Sequence, residues 1–199
     1  MQKIITSLWF DNNAEEAAKF YVSIFKNSKI GEVTRYGEAG MGSTGNVMSV
    51  TFQLEGQEFF AINGGPTIQF TEAISLFVNC ESQQEVDALW AKLLAGGGKE
   101  SHCGWLKDKY GLSWQIIPNA LMRMMRDKDA QKAARVTARM LQMVKIDLAG
   151  LQKAYDGNSG VLATISVDHD GKSRVFAPGR RRSKYRDQNS PLSGWDAGR

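Results

Sequence analysis

The chain has 199 residues, 42% of them hydrophobic and 23% charged, with a formal net charge of +4. That is enough apolar material for one or two small packed domains, and the lack of any run of about eighteen apolar residues excludes a membrane-spanning helix. The positive excess lies wholly in residues 158–199, which hold eight Lys and Arg against four Asp, so residues 1–157 carry no global signature of binding to phosphate backbones.

Two cysteines, Cys80 and Cys103, suit a reducing compartment better than a disulfide framework. The opening MQKIITSLWF lacks the apolar core and small-residue cleavage site of a secretory leader. The expected location is the cytoplasm.

In chain order, Ile5–Phe10 reads as a strand and breaks at the turn formers Asp11-Asn12-Asn13. Ala14, Ala17, Ala18, Tyr21 and Phe25 then follow the three-and-four spacing of a helix with one buried stripe. Asn13 is the expected N-cap, and Glu15 and Glu16 place negative charge where the helix dipole favours it. Lys29–Tyr36 alternates as a strand with one wet face. The glycine-rich Gly37–Asn46 lacks the Lys-Ser/Thr ending of a phosphate-binding loop and runs into a strand, so a hairpin loop is expected. Val47–Leu54 and Gln57–Asn63 are two strands joined by a tight turn at Glu55-Gly56. Gly64-Gly65-Pro66 closes this first unit.

A second unit starts near Phe70. Ala73–Asn79 is a strand, and Ser82 with Glu85 forms a capping box. Val86, Leu89, Trp90, Leu93 and Leu94 form a helix stripe that Gly96-Gly97-Gly98 ends. Short extended pieces follow at Lys99–Cys103, Gly104–Lys107 and Leu112–Ile117. Ser7–Phe10 lines up with Ser75–Val78 at an offset of 68, and Ala17, Phe20, Tyr21 and Ile24 line up with Val86, Leu89, Trp90 and Leu93 at 69. Each half therefore reads β-α-β-β-β, and such an internal repeat predicts a duplicated architecture.

Residues 119–157 differ in kind. Leu121, Met122, Met124 and Met125 form a short methionine-rich helix, suited to irregular packing against the sheets or a second subunit. Asp129 caps a long helix predicted from Ala130 to about Tyr155, with Ala134, Met140, Leu141, Val144, Leu148 and Leu151 on its apolar face. Beyond Gly157, VLATISVDHDGKSRVF makes one hairpin with Asp170-Gly171 at its turn. The remainder is aperiodic and expected to be disordered. Arg180–Arg186 in that tail is a basic patch, the one place where a nucleic-acid contact is conceivable.

The segments LWFDNNAEEAAKFYVSIFKNSKIGEVTRYGEAG (Leu8–Gly40), FQLEGQEFFAINGGP (Phe52–Pro66), AISLFVNCES (Ala73–Ser82) and CGWLKDKYGLSWQIIP (Cys103–Pro118) resemble the vicinal oxygen chelate superfamily. That group includes glyoxalase I, extradiol dioxygenases, and fosfomycin and bleomycin resistance proteins. The resemblance is to its PhnB-like branch, also called 3-demethylubiquinone methyltransferase-like, and the extension Met140–Gly157 is similar to that branch as well. It implies an α+β fold in which two tandem βαβββ modules, about 1–66 and 70–118, form a curved mixed sheet with a cleft. A helical extension (119–157) and a basic tail (158–199) follow. Strand alternation then places Leu8, Phe10, Leu76 and Val78 toward the helices, and Ser7, Trp9, Ser75, Phe77, Ser113 and Gln115 toward the cleft.

Metal-using members of the superfamily hold a divalent ion with His and carboxylate ligands from four strands. Carried over, those positions fall at Ile5 or Thr6, near Phe59–Ala61, at Ala73 and at Gln115. His102 lies off them, His169 is in the tail, and Glu58 is expected to point outward. No metal and no cofactor are therefore expected. The glycine-rich loop also sits between strands, outside the strand-to-helix context in which S-adenosylmethionine is bound. The expected function is binding of a small aromatic or amphipathic molecule through Ser7, Trp9, Phe59, Asn63, Ser75, Phe77, Trp105, Ser113 and Gln115, with no catalytic residue assigned. The alternative is a superfamily enzyme (lyase, isomerase, dioxygenase or methyltransferase) with relocated catalytic residues. The resemblance and the apolar extension also imply a homodimer.

Overall fold

The computed structural model describes residues 2–38, 42–158, 164–167 and 173–176. The first unit runs β1 (Thr6–Phe10), α1 (Ala14–Ile24), β2 (Lys29–Arg35), β3 (Val47–Leu54) and β4 (Gln57–Asn63). Its four-stranded sheet one has the order β1-β4-β3-β2, with β1 parallel to β4 and the other pairs antiparallel. The second unit runs β5 (Ser75–Cys80), α2 (Gln83–Leu94), β6 (Lys99–Glu100), β7 (Trp105–Lys107) and β8 (Ser113–Pro118). Sheet two repeats the arrangement, β5-β8-β7-β6, again with its first strand parallel to its last. The predicted duplication is present strand for strand, and the fold is α+β as expected.

Each helix forms for reasons visible in its residues. α1 buries Ala14, Ala17, Ala18, Tyr21 and Ile24, and its three alanines let the helix axis approach the sheet closely. Its predicted cap is corrected: the Asn13 side chain makes no capping hydrogen bond. Asn63, at the end of β4, accepts from the Ala14 N–H at 2.8 Å instead. In α2, the Ser82 hydroxyl accepts from Glu85 N–H at 3.2 Å as the capping box requires, while the Glu85 carboxylate accepts from Glu81 N–H at 2.7 Å, one residue before the expected partner. The β3–β4 turn places both Glu55 (φ 46°) and Gly56 (φ 85°) in the left-handed region. That pair of angles matches the right-handed twist of the flanking strands.

The two units share one core. Tyr21 on α1 touches Phe52 of sheet one (centroids 6.1 Å apart) and Trp114 of sheet two (5.4 Å), and Phe25 stacks on the same indole at 5.3 Å. Asp108, only 3% exposed, sits where the units meet. It accepts from Tyr21 Oη at 2.9 Å, Trp114 Nε1 at 2.8 Å, and the N–H groups of Tyr110 and Leu112 at 2.9 and 3.1 Å. Thus α1 lies between the helix-bearing faces of both sheets, and their open faces point away from the shared core.

The extension departs from its prediction. The long helix is two helices, α4 (Ala130–Met140) and α5 (Leu148–Tyr155), preceded by α3 (Asn119–Met125). Between α4 and α5 the chain is recruited by the second unit. Met143 and Val144 carbonyls accept from Cys103 and Gly104 N–H groups at 2.8 Å each, and Gln83 clamps Ile146 O and Leu148 N at 3.1 and 2.8 Å. Asp147 then caps α5 through Ala149 and Gly150 N–H. The apolar face shifts accordingly: Val136, Met143, Ile146 and Leu151 are buried with Ile117 and Leu121, while Leu141 and Val144 are exposed.

The structure divides after residue 159. In the second part, β9 (Thr164–Val167) and β10 (Ser173–Phe176) pair antiparallel as the predicted hairpin. The expected Asp170-Gly171 turn and the tail from residue 177 lie outside the described residues.

Candidate functional site

Register decides which side chains share a face. In sheet two, Ser75 stands beside Ser113, and Phe77 beside Gln115, across the β5–β8 pair; Lys107 and Trp105 stand beside the same two β8 residues across β7–β8. Two rows therefore cross the open face: Ser75–Ser113–Lys107 and Phe77–Gln115–Trp105. All five predicted sheet-two residues are brought together here. Gln115 Nε2 donates to Ser75 Oγ at 2.8 Å, which fixes the amide with its oxygen free to accept. Phe77 is 45% exposed, a large apolar surface for a ring on a strand. Ser113 is fully buried, and its hydroxyl has no partner among the described residues.

In sheet one, Ser7 and Trp9 share the open face with Phe60 and Ile62 across the β1–β4 pair. The Trp9 indole N–H donates to Gly65 O at 2.9 Å. A Cβ on Gly64 would meet the indole ring at 2.1 Å, so the glycine is what lets the ring lie flat against the backbone. No hydrogen bond among the described residues joins Ser7 or Trp9 to the sheet-two rows.

Phe59 and Asn63 are corrections. Each pairs with a β1 residue of the opposite parity, Thr6 and Phe10, so both face α1. Phe59 is 3% exposed and stacks on Phe52 at 5.2 Å. Asn63 caps α1 and donates its amide to Val47 O at 3.0 Å, so its side chain is engaged by the fold on the helix-bearing side. Phe60 and Ile62 are the open-face residues that sequence reasoning missed. The β4 run FFAI is apolar on both sides, so its alternation held no signal.

The same shift of parity turns Glu58 onto the open face, contrary to expectation. It is occupied by the N-terminal segment, accepting from Gln2 N–H at 3.0 Å. With Ile5, Ala73 and Gln115 at the other carried-over positions, one carboxylate does not make a ligand set for a divalent ion, which needs several convergent N and O donors. Among the described residues no three of His, Cys, Asp and Glu are grouped so that they could hold a metal ion.

Two buried titratable groups, Cys80 and Asp108, face the core and not the open faces. Burial, then the nearby charges of Glu85 and Glu81, push the Cys80 thiol up to about 12, which disfavours the reactive thiolate. Burial also raises the Asp108 carboxyl above its ordinary value, its four hydrogen bonds offsetting only part of that cost. Both groups lie within the shared core.

Residues 2–117 match the protein family described as 3-demethylubiquinone-9 3-methyltransferase. Among solved structures, a PhnB protein from Bacillus cereus, titled for 3-demethylubiquinone-9 3-methyltransferase, is 43% identical, with 57% of this chain and 97% of that one covered and a TM-score of 0.53. A glyoxalase/bleomycin resistance protein from Albidiferax ferrireducens T118 is 18% identical over 55% of this chain and 93% of that one, with a TM-score of 0.36. The fosfomycin resistance protein FosX from Listeria monocytogenes is 16% identical over 57% and 89%, with a TM-score of 0.39. No curated protein matches the chain.

Proposed function

The chain belongs to the 3-demethylubiquinone-9 3-methyltransferase family, the PhnB-like branch of the vicinal oxygen chelate superfamily, and from that premise we propose that it is a binding protein for a small aromatic or amphipathic molecule, working without a metal. The observation that carries this is the row Phe77–Gln115–Trp105 on the open face of sheet two. It offers two aromatic side chains and an amide oriented by Ser75, the ordinary composition of a small-molecule site: apolar walls with a few fixed polar groups. In this reading, a ligand lays its apolar part on Phe77 and Trp105 and donates a hydrogen bond to the Gln115 oxygen.

The chemistry of the face favours binding over turnover. Gln115 is a neutral amide and a poor proton acceptor. Glu58, the acid on the other open face, already bonds to Gln2. The methyl transfer in the family's name finds no support in the glycine-rich segment, which closes a hairpin between β2 and β3 through Tyr36 N–H to Asn46 O at 2.9 Å. A donor nucleotide is ordinarily held at a glycine-rich turn from strand to helix.

A face that points away from its own core is open on one side. The proposed cleft is completed by a second copy, whose Ser7 and Trp9 face covers the sheet-two rows. Exposed Ile5 at 39% and Phe77 at 45% are the apolar surface such a contact would cover.

The test is a fluorescence titration of the full chain with N-phenyl-1-naphthylamine, a neutral aromatic probe. Saturable binding is expected, weakened about tenfold in Phe77→Ala, in line with loss of one buried aromatic contact. Equal binding by the variant removes this face from the site.

A further inference from the structure

α3 starts directly where β8 ends, so its side chains overhang the end of sheet two's open face. A recess of about 650 Å³ forms there, lined by Phe77 and Asn79 from β5, by Asn119, Met122 and Arg123 from α3, and by Arg126, the residue that ends α3. Arg123 lies in the last turn of α3 and Arg126 directly follows the helix. Both are exposed.

These two arginines are unlike the others. Residues 2–158 hold five arginines. Arg35 donates to Gly45 O at 2.9 Å, Arg135 donates to Ala154 O and Tyr155 O at 2.9 Å each, and Arg139 donates to Gln142 Oε1 at 3.4 Å. Arg123 and Arg126 have no side-chain hydrogen bond and no ion pair among the described residues, and both line the same recess. The acid associated with the rim, Glu81, is held by Asn119 Nδ2 at 2.6 Å. Charge is also divided along the chain: residues 1–118 hold thirteen Asp and Glu against nine Lys and Arg, whereas residues 119–157 hold eight Lys and Arg against four Asp. Within residues 1–157 the sheet units therefore carry a net negative charge and the extension a net positive one, which favours an anion at the extension.

Resting on the binding reading above, we infer that this recess is an anion subsite of the same cleft. Arg123 and Arg126 take the carboxylate, sulfonate or phosphate head of an amphipathic ligand whose apolar body lies on Phe77 and Met122. Guanidinium groups suit this role because their planar fork donates two parallel hydrogen bonds to such a head, which a lysine does not. The ligand class is thereby narrowed from aromatic or amphipathic to amphipathic with one anionic end.

The experiment compares two probes that differ chiefly in a sulfonate, 8-anilinonaphthalene-1-sulfonate and neutral N-phenyl-1-naphthylamine, on the full chain. Wild type is expected to prefer the sulfonate by about tenfold or more, since a charge-assisted pair exceeds a neutral one by at least that factor. The preference should shrink with added salt. In Arg123→Gln/Arg126→Gln it should disappear while affinity for the neutral probe stays within about twofold. Arg123→Lys/Arg126→Lys should keep part of it, since the charge remains and the fork is lost. Far-ultraviolet circular dichroism checks that α3 is retained, and the single glutamine variants, each losing part of the preference, stand in if the double variant unfolds. A preference that survives both glutamines, or equal binding of the two probes by wild type, overturns the anion subsite and leaves the sheet-face reading standing. Failure of both probes to bind wild type overturns both readings, and binding of the neutral probe alone overturns the anion subsite only.

Discussion

Asp108 illustrates how a single residue ties two repeated units together. A carboxylate this buried costs several kcal/mol in desolvation, and it is tolerated because four donors converge on its two oxygens. In Asp108→Asn the amide nitrogen must face two of those donors, so a loss of roughly 2–4 kcal/mol at pH 7 is expected from the stranded groups. Urea unfolding measures it directly. The pH dependence has a definite sign. The ordinary value is 3.8 and burial raises it in the fold, so between the two values the folded state holds a proton that the unfolded state has released. Stability from this group is therefore greatest in acid and declines as pH rises through that interval. The stability difference between wild type and Asp108→Asn should narrow along the same interval. A difference independent of pH from 3 to 7 would contradict the assignment.

At the scale of elements, α1 is held at its N-terminus by a side chain 49 positions away, Asn63. Asn63→Ala removes both the cap and the bond to Val47 O, and a cost of about 1–2 kcal/mol follows from the usual worth of an N-cap. Asn13→Ala should cost almost nothing, because its side chain caps nothing. Thermal or denaturant unfolding of the two variants separates them, and equal losses would return the cap to Asn13. The break between α4 and α5 has the same character. Residues 130–149 contain neither proline nor glycine, so local propensity favours continuing the helix. Two N–H groups on the Cys103–Gly104 turn and the amide of Gln83 capture that backbone instead. Gly104 (φ 84°) permits the approach, since a Cβ there would meet Ile117 Cδ1 at 2.7 Å. The signal within the sequence was Asp147, a good cap placed before a short apolar run.

At the scale of the molecule, placing α1 between the helix-bearing faces leaves two open faces and no closed cleft among the described residues. If a second copy supplies the missing wall, the full chain should sediment as a dimer. Replacing Ile5 and Phe77 by aspartate should shift it toward monomer and abolish probe binding in the same variant. Sedimentation velocity over a range of concentrations reads the first, and fluorescence titration the second. A wild-type monomer that binds the neutral probe would show the cleft to be unnecessary.

The duplicated βαβββ order, the helix stripes and the placement of Leu8, Phe10, Leu76 and Val78 were legible in the sequence. They follow from local rules: side chains alternate along strands, and apolar residues recur at three and four along helices. The faces of Phe59 and Asn63 were not legible, because FFAI is apolar on both sides and only its pairing with β1 and β3 selects the parity. The partnering of Asn63 with α1, the recruitment of Met143 and Val144 by Cys103 and Gly104, and the convergence of Phe77 with Arg123 and Arg126 were decided by tertiary structure alone. Each joins residues whose local sequences say nothing about one another, and a hydrogen bond or a recess between them exists only once the sheets have brought them within reach.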